Sequence, residues 1–88
     1  MRIDKLLWFI RFARSRSVAH DMAQGGHVRL NGKRLDKAHQ SIAVGDIMTL
    51  PLARRVVVIE IIALPLRRGP ASEAQSCYRV LDETVASP

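Results

Sequence analysis

The sequence predicts an α+β domain: two short packed helices, a small and mostly antiparallel sheet covered by them on one side, and a short C-terminal helix. Three observations carry this expectation. An apolar stripe of helical period opens the chain, the period changes to two after Gly25-Gly26, and a Val- and Ile-rich run occupies residues 55 to 62.

Ile3, Leu6, Leu7 and Ile10 match the i, i+3, i+4, i+7 template and Ala13 extends it, so a helix is expected from residue 2 to about 13. On a helical wheel the opposite side collects Asp4, Lys5, Trp8, Arg11 and Phe12, which puts two aromatic rings on one face with two cations. Trp8 and Phe12 suit either edge packing against the sheet or stacking platforms for unpaired bases. Ser15 and Ser17 are both able to cap a second helix, because a short hydroxyl accepts from the unpaired amides of the first turn. Val18, Ala19, Met22 and Ala23 form its apolar stripe, and the two glycines end it. The helices therefore meet at a basic turn, Arg14-Ser15-Arg16-Ser17.

Val28 and Leu30 then alternate with His27 and Arg29, and Asn31-Gly32 is the preferred pair for a two-residue hairpin turn. Val44-Gly45-Asp46 introduces a strand over Ile47 to Leu50, which Pro51 is expected to end. Arg55 to Ile62 reads as the longest strand and needs covering on one face. Pro65 and Arg67-Arg68-Gly69 turn the chain, Pro70 suits a first helical position, and a helix is expected from Ala71 to about Arg79. Residues after Leu81 read as frayed.

A chain of 88 residues closes one core, and its 48% hydrophobic and 25% charged content is that of a globular protein. Cys77 is alone, so neither a disulfide nor a cysteine-based zinc site forms within the chain, and a reducing, cytoplasmic setting is expected. The run Leu6 to Ile10 is cut by Arg11, shorter than the roughly 7 to 15 apolar residues of a secretory core. Val56 to Leu64 is interrupted by Glu60 and falls short of the roughly 20 residues that span a bilayer. His20, His27 and His39 lack metal-ligand spacing, and neither a Gly-x-Ser-x-Gly elbow nor a phosphate-binding glycine loop is present. No catalysis, metal, cofactor or small-molecule substrate is therefore expected.

Charge is distributed unevenly. Residues 1 to 39 carry nine cations against three carboxylates, a net of +6, whereas residues 40 to 88 carry five against five. Such a field attracts polyanions. Arg2, Lys5 and Arg11 lie along the first helix, Arg14 and Arg16 at the start of the second, and Arg29, Lys33 and Arg34 beside the hairpin turn. With the positive dipole end of the second helix they would form one groove that holds phosphates. Arg54, Arg55, Arg67 and Arg68 read instead as solvated strand ends. An interaction module docking on anionic lipid or on a protein partner is the alternative, although its apolar stripe is needed for the core.

Arg2-Ile3-Asp4-Lys5-Leu6-Leu7, Arg11, Ser15-Arg16, Ala19, Gly26-His27-Val28-Arg29-Leu30-Asn31-Gly32 and Gly45-Asp46 together resemble the S4 RNA-binding domain, named after a small-subunit ribosomal protein. The resemblance covers about residues 2 to 50. It implies the αL RNA-binding motif, binding of structured RNA, and contacts through Arg2, Lys5, Arg11, Ser15, Arg16, Arg29 and Lys33. Many relatives append this domain to a pseudouridine synthase or a tRNA synthetase, a catalytic body not seen here. Arg67-Arg68-Gly69-Pro70-Ala71-Ser72-Glu73-Ala74 with Tyr78 is similar to the segment after that domain in the bacterial fifteen-kilodalton heat-shock family. That likeness implies ribosomal RNA of the large subunit as partner, in a heat-shock or ribosome-rescue role; a general tRNA- or rRNA-binding accessory module is the alternative. Members often continue into a long basic tail where this sequence stops at Pro88, and often carry a proline where Asp36-Lys37-Ala38 stands. The expected division is an RNA-binding domain over residues 1–64 and an extension over 65–88.

Overall fold

The computed structural model describes residues 1–85. Its elements run α1 (Ile3–Phe9), α2 (Arg16–Gln24), β1 (Arg29–Leu30), β2 (Lys33–Arg34), β3 (Ile47–Pro51), β4 (Arg55–Ile61), α3 (Ala71–Gln75) and β5 (Tyr78–Val85). The strands form one antiparallel sheet in the order β2-β1-β3-β4-β5, which is the α+β class expected.

α1 stops at Phe9, short of the end expected near Ala13. The amide of Arg11 donates to the Trp8 carbonyl at 3.2 Å and that of Phe12 to the Leu7 carbonyl at 3.1 Å, with Arg11 left-handed at φ 68°. This is a Schellman ending with arginine where glycine is usual. Ile10 and Ala13 still reach the core, at 1% exposure each, but Arg11 and Phe12 leave the wheel face they would share with Lys5 and Trp8. α2 behaves as its sequence predicts: Ser15 accepts from the Val18 amide at 3.2 Å, and Gly26 leaves the helix at φ 80°. Fully buried Ala19 and Ala23 present small surfaces to the core where α1 and α2 pack together.

Strand register decides which sheet face the helices cover. Leu30 pairs with Met48 and Met48 with Ile59, while Leu50 pairs with Val57; these residues share one face and one buried cluster with Ile3, Leu6, Leu7 and Ile10. The row Arg29, Thr49, Val58 and Asp82 therefore projects from the opposite face.

The C-terminal part corrects three expectations. α3 ends at Gln75 rather than near Arg79; Asp82 to Val85, expected to be frayed, are strand, while the same expectation for residues 86–88 lies outside the described residues; and β5, with eight residues, exceeds the seven of β4. β5 pairs along all of β4, with a register shift between Val58 and Ile59. The physical reason is tertiary: β4 has a free hydrogen-bonding edge, and pairing with it outweighs the helix propensity of a short segment. β3 ends at Pro51 as expected, with Pro51 as its last residue paired with Val56. Among the described residues, no helix is long and apolar enough to cross a membrane.

Candidate nucleic-acid interface

The first turn of α1 is organised by Asp4. Its buried carboxylate accepts from Arg2 at 3.1 Å (Nε) and 2.8 Å (Nη2) and from the Lys5 amide at 2.7 Å, while His20 Nδ1 of α2 lies 3.6 Å away. Burial alone pushes the Asp4 carboxyl up. The Arg2 fork, the Lys5 amide and His20 together outweigh it and hold the group below its ordinary value. The same hydrogen bonds and charge raise Arg2 above its own. Arg2 is thus the one predicted RNA-binding cation that has a carboxylate partner among the described residues.

Along α1 the Lys5 ammonium lies 5.3 Å from the Phe9 ring centroid. Trp8, half-buried and tilted against Phe9 at 5.4 Å, has the Arg16 guanidinium 5.8 Å from its centroid. Arg16 is held there because it is the first residue of α2, directly after the Ser15 cap; the Ser15 and Ser17 hydroxyls are 3.2 Å apart. Arg14 is exposed on the same turn.

Arg68, read from the sequence as a solvated strand end, is instead half-buried on this group. Its guanidinium is 5.6 Å from the Trp8 centroid and its Nε donates to the Trp8 carbonyl at 3.0 Å. Arg11 Nε reciprocates by donating to the Gly69 carbonyl at 2.7 Å. The string Arg67-Arg68-Gly69-Pro70 carries a family likeness, but no local pattern places Arg68 on Trp8, because that partner lies sixty positions away. By contrast, Arg55, Arg67 and Arg79 pair with Glu83, Glu73 and Glu60, which confines their charge locally. Phe12, diverted by the end of α1, packs on Tyr78 at 5.0 Å; burial pushes the Tyr78 phenol up, against a smaller opposing effect of Arg55. Of the two sites considered for the aromatics, Phe12 takes the packing one, and Trp8 stands among cations.

The hairpin is a second basic group. Asn31 (φ 51°) and Gly32 (φ 81°) make the two-residue turn with both central residues left-handed. The Asn31 side chain braces it, accepting from the Ile47 amide at 2.9 Å and donating to Asp46 at 3.1 Å. Arg29 pairs with Arg34 and Leu30 with Lys33 across it, and all three cations are exposed. A Cβ on Gly26 would fall 2.5 Å from the Arg34 guanidinium, so Arg34 lies against the C-terminal end of α2. Arg16 and Arg34 therefore stand at opposite ends of a nine-residue helix, about 13 Å long. The turn bearing Arg14 and Arg16 thus lies at the opposite end of α2 from the hairpin cations.

Two packed helices carrying Lys5 and Arg16, neither with a carboxylate partner among the described residues, set on an antiparallel sheet, define the class of this protein as an α+β domain with a basic helical face. The family model described as S4 domain matches residues 1–47, which include both helices, the hairpin and the first residue of β3; the chain belongs to the S4 domain family. It is 36% identical over 85 residues to the heat shock protein 15 homolog of Haemophilus influenzae, covering 97% of this chain and 64% of that protein. It is 29% identical over 83 residues to the RQC P-site tRNA stabilizing factor of Bacillus subtilis, covering 94% of each. A solved structure of trimeric heat shock protein 15 from Vibrio cholerae superposes with a TM-score of 0.85 at 38% identity, covering 91% of this chain and 80% of that one. The chain spans slightly less than two thirds of the Haemophilus relative's length.

Proposed function

We propose that this chain is a non-catalytic RNA-binding protein that recognises structured ribosomal RNA of the large subunit in the cytoplasm, in a heat-shock or ribosome-rescue role. The observation that carries it is the pair of cation groups at the two ends of α2, with Lys5, Arg14, Arg16, Arg29, Lys33 and Arg34 all lacking carboxylate partners among the described residues. A-form RNA hides its major groove, so a rigid basic surface reads backbone spacing and 2′-hydroxyls more than sequence. Those six cations and Trp8 make the direct contacts. Arg11, whose Nε alone is used by the Gly69 carbonyl, keeps its terminal nitrogens for RNA, whereas Arg2, Phe12 and Ser15 shape the surface, since they are engaged by Asp4, Tyr78 and the Val18 amide. Residues 1–64 supply the RNA-binding domain and the extension from residue 65 braces it.

The relatives support this reading by name: one for heat shock, one for stabilising P-site tRNA. Docking on anionic lipid would need an apolar helix face, and Ile3, Leu6, Leu7 and Ile10 are at most 1% exposed. The test is cosedimentation with separated ribosomal subunits across a salt series. Binding to the large subunit falls steeply with salt, and Arg16→Ala weakens it about equally for unrelated structured RNAs, with a salt slope smaller by about 1. A folded Arg16→Ala protein that binds like the parent overturns the proposal.

A further inference from the structure

We infer that Arg68 belongs to the RNA-contacting surface and forms with Arg16 a paired guanidinium seat for one stretch of phosphate backbone beside Trp8. This rests on the RNA binding proposed above and extends it to a residue outside the 1–47 match.

Both guanidinium groups lie within 6 Å of one indole centroid, at 5.8 and 5.6 Å, so they are at most ~11 Å apart, close to the Debye length of ~10 Å at 0.1 M salt. Their fields therefore add. Neither has a carboxylate partner among the described residues, although the neighbouring Arg67 is paired with Glu73. Two like charges held near one ring without a counter-ion favour the arrival of an anion. The Trp8 carbonyl uses only the Nε donor of Arg68, and its terminal nitrogens keep the fork that fits two phosphate oxygens. The reciprocal bond from Arg11 to Gly69 holds the loop, so Arg68 is placed before any ligand binds and loses little freedom on binding.

A phosphate role and a merely structural one differ in their salt response. Binding of purified large-subunit ribosomal RNA is measured by filter retention from 50 to about 300 mM salt. Arg68→Gln keeps an amide donor for the Trp8 carbonyl but removes the charge; it is expected to lower the salt slope by about 1 and the affinity about tenfold at 0.1 M. Arg68→Lys restores the charge without the fork and recovers the slope, whereas Arg67→Ala changes neither quantity. Arg68→Gln with the parent's slope, or Arg68→Lys behaving like Arg68→Gln, overturns the inference. If the parent and Arg16→Ala differ as proposed while Arg68→Gln matches the parent, only this inference falls. If the parent does not bind RNA, both fall.

Discussion

Arg11 offers the sharpest test of the fold. It closes α1 at φ 68°, in a region that costs an L-residue about 1 to 2 kcal/mol and glycine almost nothing. Its side chain offsets this through the bond to the Gly69 carbonyl, a contribution of about 1 kcal/mol. Arg11→Ala loses the bond and keeps the strain, so it destabilises by about 1 kcal/mol. Arg11→Gly loses the bond and relieves the strain, and comes out close to the parent. Glycine is therefore the more stable replacement by at least ~1 kcal/mol, or about 5 °C in Tm for a domain of this size. At exposed Asp21, in the interior of α2, the order is reversed, because glycine costs a helix about 1 kcal/mol relative to alanine. Urea and thermal unfolding of the four variants measure both differences. An alanine variant at position 11 as stable as the glycine variant refutes the left-handed ending of α1.

Asp4→Asn removes the charge and one of the two accepting oxygens that tie Arg2, the Lys5 amide and His20 together, and is expected to cost about 2 kcal/mol near neutral pH. Because the folded carboxyl is held below its unfolded value of about 3.9, the stabilisation is complete above that pH and lost as pH falls through the folded value. Unfolding curves from pH 7 to 3 should show parent and variant converging in acid. Gly32→Ala meets no atom within 4 Å and costs about 1 kcal/mol of backbone strain alone. Gly26→Ala adds a collision with the Arg34 guanidinium, so an RNA-binding titration should show lower affinity for that variant and the parent value for Gly32→Ala. Leu7→Ala, at a fully buried position, is expected to lose about 3 kcal/mol in urea unfolding.

Much of the fold was legible locally. Apolar spacing placed both helices, Ser15 and the glycines bounded α2, and Asn31-Gly32 set the hairpin, because caps and turns are chosen by residues only a few positions apart. The cation list was legible for the same reason, although its arrangement as two groups around α2 was not. β5 is not legible locally: the sequence predicts a helix to about Arg79 and a frayed end, and the strand forms because of the free edge of β4. Phe12 was placed with Trp8 by a wheel that assumes the helix continues.

Sequence alone determined the α+β class, the uneven charge and the list of candidate cations, all properties of composition or of neighbours along the chain. Only the tertiary structure decided the left-handed Arg11, the eight-residue β5 and the place of Arg68 on Trp8. The latter two require partners far along the chain, and the bond from Arg11 to Gly69 spans 58 positions. No local periodicity encodes a contact made only when the chain has closed on itself.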